Sequence, residues 1–143
     1  MKSLVAETPA ADSTAAAAHF AALLTLETDC WDVHEALSEG KDDFVLLDVR
    51  SPDSYARGHV PGAINLPHGK IIASKLAAWP ADTLFVVYCT GPNCNGADRG
   101  ALRLARLGRP VKKMIGGASG WVDDGFALLP GTEVGTLRSS ETV

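Results

Sequence analysis

The sequence predicts an α/β domain with a mainly parallel central sheet. Two apolar runs, at residues 44–49 and 84–88, have the length and composition of buried parallel strands. Residues 97–107 place apolar and charged side chains with the period of a helix. Because such strands alternate with helices along the chain, crossover connections and a parallel sheet are favoured.

The first elements lie before the first apolar strand. Residues 1–14 are small and polar and are expected to form a flexible leader. A helix is expected over residues 15–24, followed by a short strand over residues 25–28. Asp29 is placed to cap the next helix, which Gly40 ends.

Two short elements follow the first apolar strand. Ser51 supplies an N-cap and Pro52 stands at the first helical position, so a helix is expected over residues 52–57. Residues 63–66 are then expected to be a short extended segment.

The second half of the chain continues the alternation. Residues 71–79 have the apolar spacing of a helix that Pro80 ends. The second apolar strand and the helix over residues 97–107 come next, and residues 111–115 are expected to be another strand. A sharp turn leads into a short helix over residues 118–124.

One domain is expected to account for most of the chain. A chain of 143 residues can bury roughly two thirds of its unfolded surface, so it needs neither a disulfide nor a metal to fold. The domain is predicted to span residues 15–130, and residues 131–143 are predicted to be a polar tail.

The charge and cysteine content argue against several partners and compartments. The formal net charge is −4 and no basic run exceeds the pair Lys112-Lys113, so nucleic acid and anionic membranes are not expected as partners. No segment has the pattern of a secretory signal or a membrane span. Three cysteines are an odd number for a disulfide framework, so a reducing cytoplasm is the expected location.

Cys89 is the main candidate for chemistry. It follows the second apolar strand and precedes a glycine-containing loop and a helical pattern. The loop residues, predicted to bind substrate, are Thr90, Gly91, Pro92, Asn93, Cys94, Asn95 and Gly96. Backbone N–H groups of such a loop and the positive end of the helix dipole favour a thiolate over a thiol. Cys89 is therefore predicted to be a nucleophile.

Cys94 has three open roles: a resolving thiol that forms a disulfide with Cys89, a sulfur acceptor, or a packing residue. A zinc site is disfavoured, because no second pair of ligands stands at a suitable spacing. A phosphatase signature of the form C-x5-R also fails. Counted from Cys89, Asn95 occupies the arginine position, and counted from Cys94, Arg99 comes one residue early.

Other polar residues are expected to be structural. Asp48 and Arg50 point to the same side of a strand end, where they are expected to pair or to hydrogen-bond to neighbouring loops. His59 and His68 lie in turns without a visible partner and are expected at the surface.

Four motifs occur in order along residues 29–129. They are Leu46-Leu47-Asp48-Val49-Arg50, the segment over residues 55–67, Val87-Tyr88-Cys89, and Met114-Ile115-Gly116-Gly117 with Trp121. Together they resemble the rhodanese family of sulfurtransferases in its single-domain form. The resemblance implies a rhodanese-like fold, with a sheet of about five mainly parallel strands and helices on both faces.

The resemblance also implies a persulfide mechanism on Cys89, of the thiosulfate sulfurtransferase type. The donor would be a small sulfur-donor anion such as thiosulfate, or a protein persulfide, and the acceptor a thiol or cyanide. No organic cofactor and no metal is implied. Because no Lys or Arg of the loop precedes Arg99, thiosulfate would depend on N–H groups and the helix dipole.

Two functions of other kinds stay open beside the sulfurtransferase. One is a non-catalytic rhodanese-like module that binds a partner through the loop. The other is a thiol redox or arsenate-reductase-like activity that uses Cys89 and Cys94 as a dithiol.

Overall fold

The computed structural model describes residues 1–137 and is built around a five-stranded parallel sheet. The strands are β1 (Glu27–Asp29), β2 (Val45–Asp48), β3 (Ile64–Asn65), β4 (Phe85–Tyr88) and β5 (Val111–Ile115). Their order across the sheet is β1-β5-β4-β2-β3, and each neighbouring pair is parallel. The predicted α/β fold is confirmed, and β4 lies at the centre of the sheet.

Helices precede the sheet and connect its strands. In chain order they are α1 (Leu4–Glu7), α2 (Ser13–Leu26), α3 (Cys30–Ser38), α4 (Pro52–Arg57), a 3-10 helix (His68–Lys70), α5 (Ala73–Leu76), α6 (Gly96–Arg106) and α7 (Gly117–Asp123). The caps act as predicted at Asp29 and Ser51, whose side chains accept from the N–H groups three residues on. The helices α4, α6 and α7 begin and end within one residue of their predicted bounds.

The two faces of the sheet carry separate apolar cores, because alternate residues of a strand point to opposite faces. Along β4, Val86 and Tyr88 belong to the core shared with α3, α4 and α7. Phe85, Val87 and Cys89 belong to the core shared with α5 and α6. The expected helices on both faces are therefore present, and Cys89 lies on the face of α6.

Residues 71–79 do not form the single helix that was predicted. Ile71 and Ile72 are extended, and α5 covers only Ala73–Leu76. Ile71 and Leu76 nevertheless bury their side chains. The apolar spacing indicates burial correctly, but two consecutive β-branched residues favour extended backbone over helix.

The N-terminal residues contain helices where a flexible leader was expected. α1 lies within residues 1–14, and Ser3 caps it by accepting from Ala6 N–H. α2 buries none of its residues and leaves Phe20 and Leu24 exposed. The domain boundary near residue 15 therefore stays a prediction. Within residues 1–137, no helix has the length and apolar character needed to cross a bilayer.

The first residues of the predicted tail lie against the domain. Gly62 N–H donates to the carbonyl of Val134 over 2.8 Å. Leu137 is 6% exposed and belongs to the core shared with α3, α4 and α7. Residues 138–143, the remainder of the predicted tail, lie outside the described residues.

His59 is fully buried, so its predicted surface position is wrong. Its ring stacks on Tyr55 with 3.7 Å between the ring centroids. The Nδ1 atom lies 3.0 Å from Tyr55 O, and Nε2 lies 2.8 Å from the carbonyl oxygen of Glu133. The Glu133 partner comes from a distant segment, which the turn around His59 does not reveal. His68 is half-buried.

Candidate active site at the end of strand β4

Cys89 lies directly after β4, at the carboxyl end of the central strand. It is only 6% exposed and packs on the face that carries α6. A Cβ atom placed on Gly96, the first residue of α6, would lie 2.8 Å from Cys89 Sγ. The sulfur atom therefore packs directly against the first turn of α6, at a place where only glycine leaves room.

The N-terminus of α6 has no side-chain cap. Asn95 occupies the cap position, but its side chain makes no capping hydrogen bond; its Oδ1 instead accepts from Arg99 Nε over 3.1 Å. The first N–H groups of an α-helix have no acceptor within the helix. The first turn of α6 lies against Cys89 Sγ, and an uncapped helix N-terminus with its dipole favours negative charge there.

The first turn of α7 anchors the start of the Cys89 loop. Ala118 N–H donates to Cys89 O over 2.9 Å, and Ser119 N–H donates to Thr90 O over 2.8 Å. Gly117 has a φ of +63°, and a Cβ there would collide with Cys89 O. The close approach of α7 therefore requires glycine, and the two loop carbonyls are tied to α7.

A recess of about 170 Å³ opens beside Cys89. Three of the predicted loop residues, Gly91, Pro92 and Cys94, line it. Its other walls come from α6 and from β5 with the glycine turn that follows. A small anion or the tip of a thiol-bearing chain fits a space of this size beside the sulfur.

The other predicted loop residues do not line this recess. Gly96 lies against the sulfur atom and Asn95 stands at the cap of α6. Thr90 and Asn93 are exposed, so their side chains are not held near Cys89 by burial. The substrate-binding role assigned to residues 90–96 stays a prediction.

Lys113 is a cation of the recess wall that the sequence pattern did not single out. Its Nζ atom lies 2.9 Å from Asp98 Oδ1 and 3.8 Å from Glu27 Oε2. Two carboxylates therefore offset one ammonium group, and an anion beside Cys89 depends mainly on backbone N–H groups. Lys113 lies near Cys89 because it pairs with Val87 of β4. This pairing can be known only once the order of the strands is known.

A larger groove, of about 540 Å³, lies between the 3-10 helix, α5 and α6. Arg99, Arg103 and Arg106 line it, but none of the loop residues 89–96 does. Size alone therefore does not locate the chemistry of this protein, because the candidate nucleophile lies at the smaller recess.

Cys94 lies next to Cys89, and the structure joins the two residues as a disulfide. Their Cα atoms are 6.4 Å apart, within the span that a disulfide bridges. Cys94 N–H donates to Gly91 O over 3.1 Å, and this turn brings Cys94 back toward the end of β4. A Cβ on Gly96 would lie 3.5 Å from Cys94 Sγ, so both sulfur atoms share the start of α6.

Cys30 lies apart from this pair and belongs to the core on the other face of the sheet. Its thiol donates weakly toward the carbonyl of Ile115, with 3.5 Å between sulfur and oxygen. Burial, followed by the charges of Asp124 and Asp29, raises the pKa of the Cys30 thiol to about 11. Cys30 is therefore a neutral structural thiol at pH 7.

Asp48 and Arg50 form the structural pair that was predicted. Asp48 is fully buried and accepts from Arg50 Nη2 over 2.6 Å and from the Tyr88 hydroxyl over 2.8 Å. Arg50 Nη2 also donates to Gly58 O, and Val60 N–H donates to the Tyr88 hydroxyl. Burial, and then the Asp48 charge, raises the pKa of Tyr88, which stays a hydroxyl donor. The network ties β2 and β4 to the chain after α4.

Comparison with known proteins gives one family match and several relatives. Residues 31–124, more than half of the chain, match the family model of the Rhodanese-like domain. An HTH-type transcriptional regulator of Mycobacterium tuberculosis is 39% identical over 94 residues, which are 65% of this chain and 41% of that protein. Thiosulfate sulfurtransferase 16 (chloroplastic) of Arabidopsis thaliana is 31% identical over 92 residues, 56% of this chain and 75% of that protein. The chain thus spans about two fifths of the regulator.

Solved structures share the fold. A crystal structure of a Bacillus halodurans protein matches with a TM-score of 0.81 at 28% identity, and the match covers 92% of this chain and 98% of that one. The crystal structure of a thiosulfate sulfurtransferase from Pseudomonas aeruginosa matches with a TM-score of 0.62 at 26% identity, over 78% of this chain and 21% of that chain.

Proposed function

This chain belongs to the rhodanese-like domain family, and we propose that it is a sulfurtransferase or sulfur carrier that works through a persulfide on Cys89. The observation that carries the proposal is the contact of Cys89 Sγ with the uncapped first turn of α6. Relatives named as sulfurtransferases support the general activity. The cytoplasm is the proposed location, because reducing conditions keep the Cys89 thiol free.

The proposed transfer consists of two displacement steps. In the first, the Cys89 thiolate attacks the sulfane sulfur of the donor, whose S–S bond breaks and leaves its electron pair on sulfite or on a thiolate. In the second, an acceptor thiolate or cyanide attacks the outer sulfur, and Cys89 leaves as a thiolate. The first N–H groups of α6 stabilise the negative charge of the thiolate and of the persulfide.

The charges at the recess favour a persulfide as the donor over thiosulfate. Thiosulfate carries two negative charges, and the cation of the recess wall, Lys113, is shared between Asp98 and Glu27. A persulfide carries a single charge, which the first turn of α6 is suited to stabilise. A protein persulfide or a small persulfide is therefore the proposed donor, and a thiol the proposed acceptor.

Intact mass spectrometry tests the proposal. The reduced protein is incubated with thiosulfate in one arm and with glutathione persulfide in the other. We expect the mass of one sulfur atom to be added to Cys94→Ala, in which no second thiol stands beside Cys89, but not to Cys89→Ser. Undiminished loading of Cys89→Ser, or no loading of folded Cys94→Ala by either donor, would sink the proposal.

A dithiol redox activity, including arsenate reduction, is a second candidate, which the Cys89–Cys94 disulfide favours. It predicts that mild peroxide forms this bond and that a dithiol reductant reopens it during turnover. A peptide map that shows only mixed disulfides or separately oxidised cysteines counts against it, as does the absence of arsenate reduction.

A non-catalytic module is a third candidate, which the likeness to a transcriptional regulator supports. Such a module would bind a partner protein through the loop that follows Cys89. A complete lack of turnover with every sulfur donor, together with partner binding that survives Cys89→Ser, favours this candidate over the enzyme.

A further inference from the structure

Cys94 stands where it can act on a sulfur atom held by Cys89. Resting on the proposed persulfide function, we infer that Cys94 is the resolving thiol: it closes the Cys89–Cys94 disulfide and releases the transferred sulfur as hydrosulfide. The reductant that releases the sulfur then lies within the chain itself, and the external partner is a dithiol that reduces the resulting disulfide.

The backbone brings the two cysteines within reach without rearrangement of the fold. The Cα atoms of Cys89 and Cys94 are 6.4 Å apart, and disulfides span about 4.4 to 6.8 Å between Cα atoms. The hydrogen bond from Cys94 N–H to Gly91 O holds the turn that points Cys94 back toward β4. Gly96 leaves the space in which both sulfur atoms meet.

Burial gives Cys94 an advantage over thiols in solution. Cys89 is 6% exposed, whereas Cys94 is half-buried and lines the same recess. A thiol tethered by a short loop has an effective concentration in the millimolar range or above. An external thiol at micromolar concentration must compete with this local thiol for a buried sulfur atom. Cys30 does not compete, because it lies on the opposite face of the sheet.

The resolving step balances without an added oxidant. The Cys94 thiol gives its proton to the outer sulfur of the persulfide anion, and the resulting Cys94 thiolate attacks Cys89 Sγ. The bond between Cys89 Sγ and the outer sulfur breaks, and the electron pair leaves with hydrosulfide. The outer sulfur is reduced to sulfide while the two cysteines are oxidised to the disulfide. A dithiol then reduces the disulfide by thiol–disulfide exchange and is itself oxidised to its disulfide, which restores both thiols.

The different exposure of the two cysteines determines how an external dithiol reopens the disulfide. Cys94 is the more exposed of the two residues, so an incoming dithiol attacks the bond at Cys94 and frees Cys89 as the leaving thiolate. The first turn of α6 stabilises that leaving thiolate. Cys89 is thereby regenerated in the ionisation state that the next sulfur donor requires.

Sulfide release in the absence of added thiol tests the inference. Reduced wild type, Cys94→Ser, Cys94→Ala and Cys30→Ser are each mixed with thiosulfate or glutathione persulfide in sealed vessels. Sulfide is measured above a blank that contains Cys89→Ser. We expect about one sulfide per chain from wild type and Cys30→Ser, and at least about tenfold less from both Cys94 variants.

Intact masses separate the possible outcomes. We expect wild type to lose two hydrogens and gain no sulfur, and both Cys94 variants to gain one sulfur. The rate of disulfide closure per wild-type chain should not change with protein concentration, because both thiols belong to the same chain. A wild type that keeps its persulfide as the Cys94 variants do, or a sulfur atom mapped to Cys94, overturns the inference and leaves the Cys89 persulfide standing. Cys94 variants that fold but take no sulfur overturn the persulfide function itself.

Discussion

The absence of a side chain at Gly96 leaves the space that the Cys89 sulfur atom occupies at the candidate site. In Gly96→Ala the new methyl group would lie 2.8 Å from Cys89 Sγ and 3.5 Å from Cys94 Sγ. Alanine is the better helix former, so the helix itself does not suffer. We expect the thiol to be displaced and the rate at which the sulfur donor reacts with Cys89, followed by the change in intact mass, to fall by up to about a hundredfold.

A second glycine offers a matched control for this substitution. A Cβ on Gly69 meets nothing within 4 Å, so Gly69→Ala should load sulfur at the wild-type rate. If Gly96→Ala also loads at the wild-type rate while remaining folded, the contact between the sulfur and the first turn of α6 is not what promotes the reaction.

The Tyr88 hydroxyl carries two hydrogen bonds in a buried network. It donates to Asp48 Oδ2 and accepts from Val60 N–H. Tyr88→Phe leaves the Val60 N–H without its acceptor, so we expect the free energy of unfolding in urea to fall by about 1–3 kcal/mol.

Tyr55→Phe is the comparison, because the Tyr55 hydroxyl makes one bond, to Ala63 O. Its removal is expected to cost less than the removal of the Tyr88 hydroxyl. Equal losses in the two variants would mean that the link to Asp48 adds nothing to the stability of the sheet.

Cys30 predicts a pH dependence of stability. Its folded pKa of about 11 lies above the value of about 8.5 for a thiol in an unfolded chain. Below about pH 8.5 both states keep the proton; above it the unfolded chain loses the proton first, so stability falls as pH rises toward 11. Between about pH 8.5 and pH 11, we expect the free energy of unfolding to fall by up to about 3 kcal/mol less in Cys30→Ala than in wild type, as measured by urea titrations at each pH. Parallel pH profiles would contradict this.

At the scale of elements, the approach of α7 to the Cys89 loop depends on Gly117. Alanine there would combine a φ of +63° with a collision against Cys89 O and a 3.0 Å approach to Gly91 N. We expect Gly117→Ala to lower the free energy of unfolding by more than about 2 kcal/mol and to reduce sulfur loading as well.

Gly108 separates backbone strain from the collision. It has a φ of +77°, but a Cβ there meets nothing within 4 Å. Gly108→Ala should therefore cost only the strain, about 1 kcal/mol, and leave loading unchanged. A loss of stability in Gly117→Ala no larger than this would show that α7 tolerates a side chain against the loop.

Two helices whose starts the sequence predicts correctly carry a local capping signal. Ser51 and Pro52 define the start of α4, and an N-cap at Asp29 defines the start of α3. The helix predicted over residues 71–79 lacks such a cap: Ile72 occupies the cap position of α5 without a side-chain hydrogen bond. Apolar spacing alone therefore places the buried side chains of this segment but not its backbone conformation.

At the scale of the whole molecule, the described part of the C-terminal tail supports the fold. His59 Nε2 lies against Glu133 O, Gly62 N–H bonds to Val134 O, and Leu137 is buried. Ending the chain after residue 130 removes all three interactions. We expect a loss of about 2–5 kcal/mol in the free energy of unfolding, mainly from the buried leucine.

A chain that ends after residue 137 is the control for this truncation. It keeps the three interactions, so it should unfold at a higher urea concentration than the chain that ends after residue 130. If the chain that ends at residue 130 is equally stable, the predicted domain boundary at that residue is correct and the tail packs without contributing.

The candidate site divides into a part that the sequence predicts and a part that only the assembled sheet reveals. Cys89 could be predicted because an apolar run, a glycine-containing loop and a helix follow one another locally. Lys113 and Ala118 reach the loop from β5 and α7, which the order of the sheet brings alongside β4. No local pattern specifies which strands become neighbours, so these residues escape prediction from sequence.

The lengths of the outer strands have a consequence for the protein in concentrated solution. β3 contains two residues and β1 three, whereas the longer strands β2, β4 and β5 are paired on both sides. Aggregation through β-sheets begins when a long open edge recruits a strand from another molecule. The strand order that brings Cys89 to the middle of the sheet thus also leaves only short edges for intermolecular pairing.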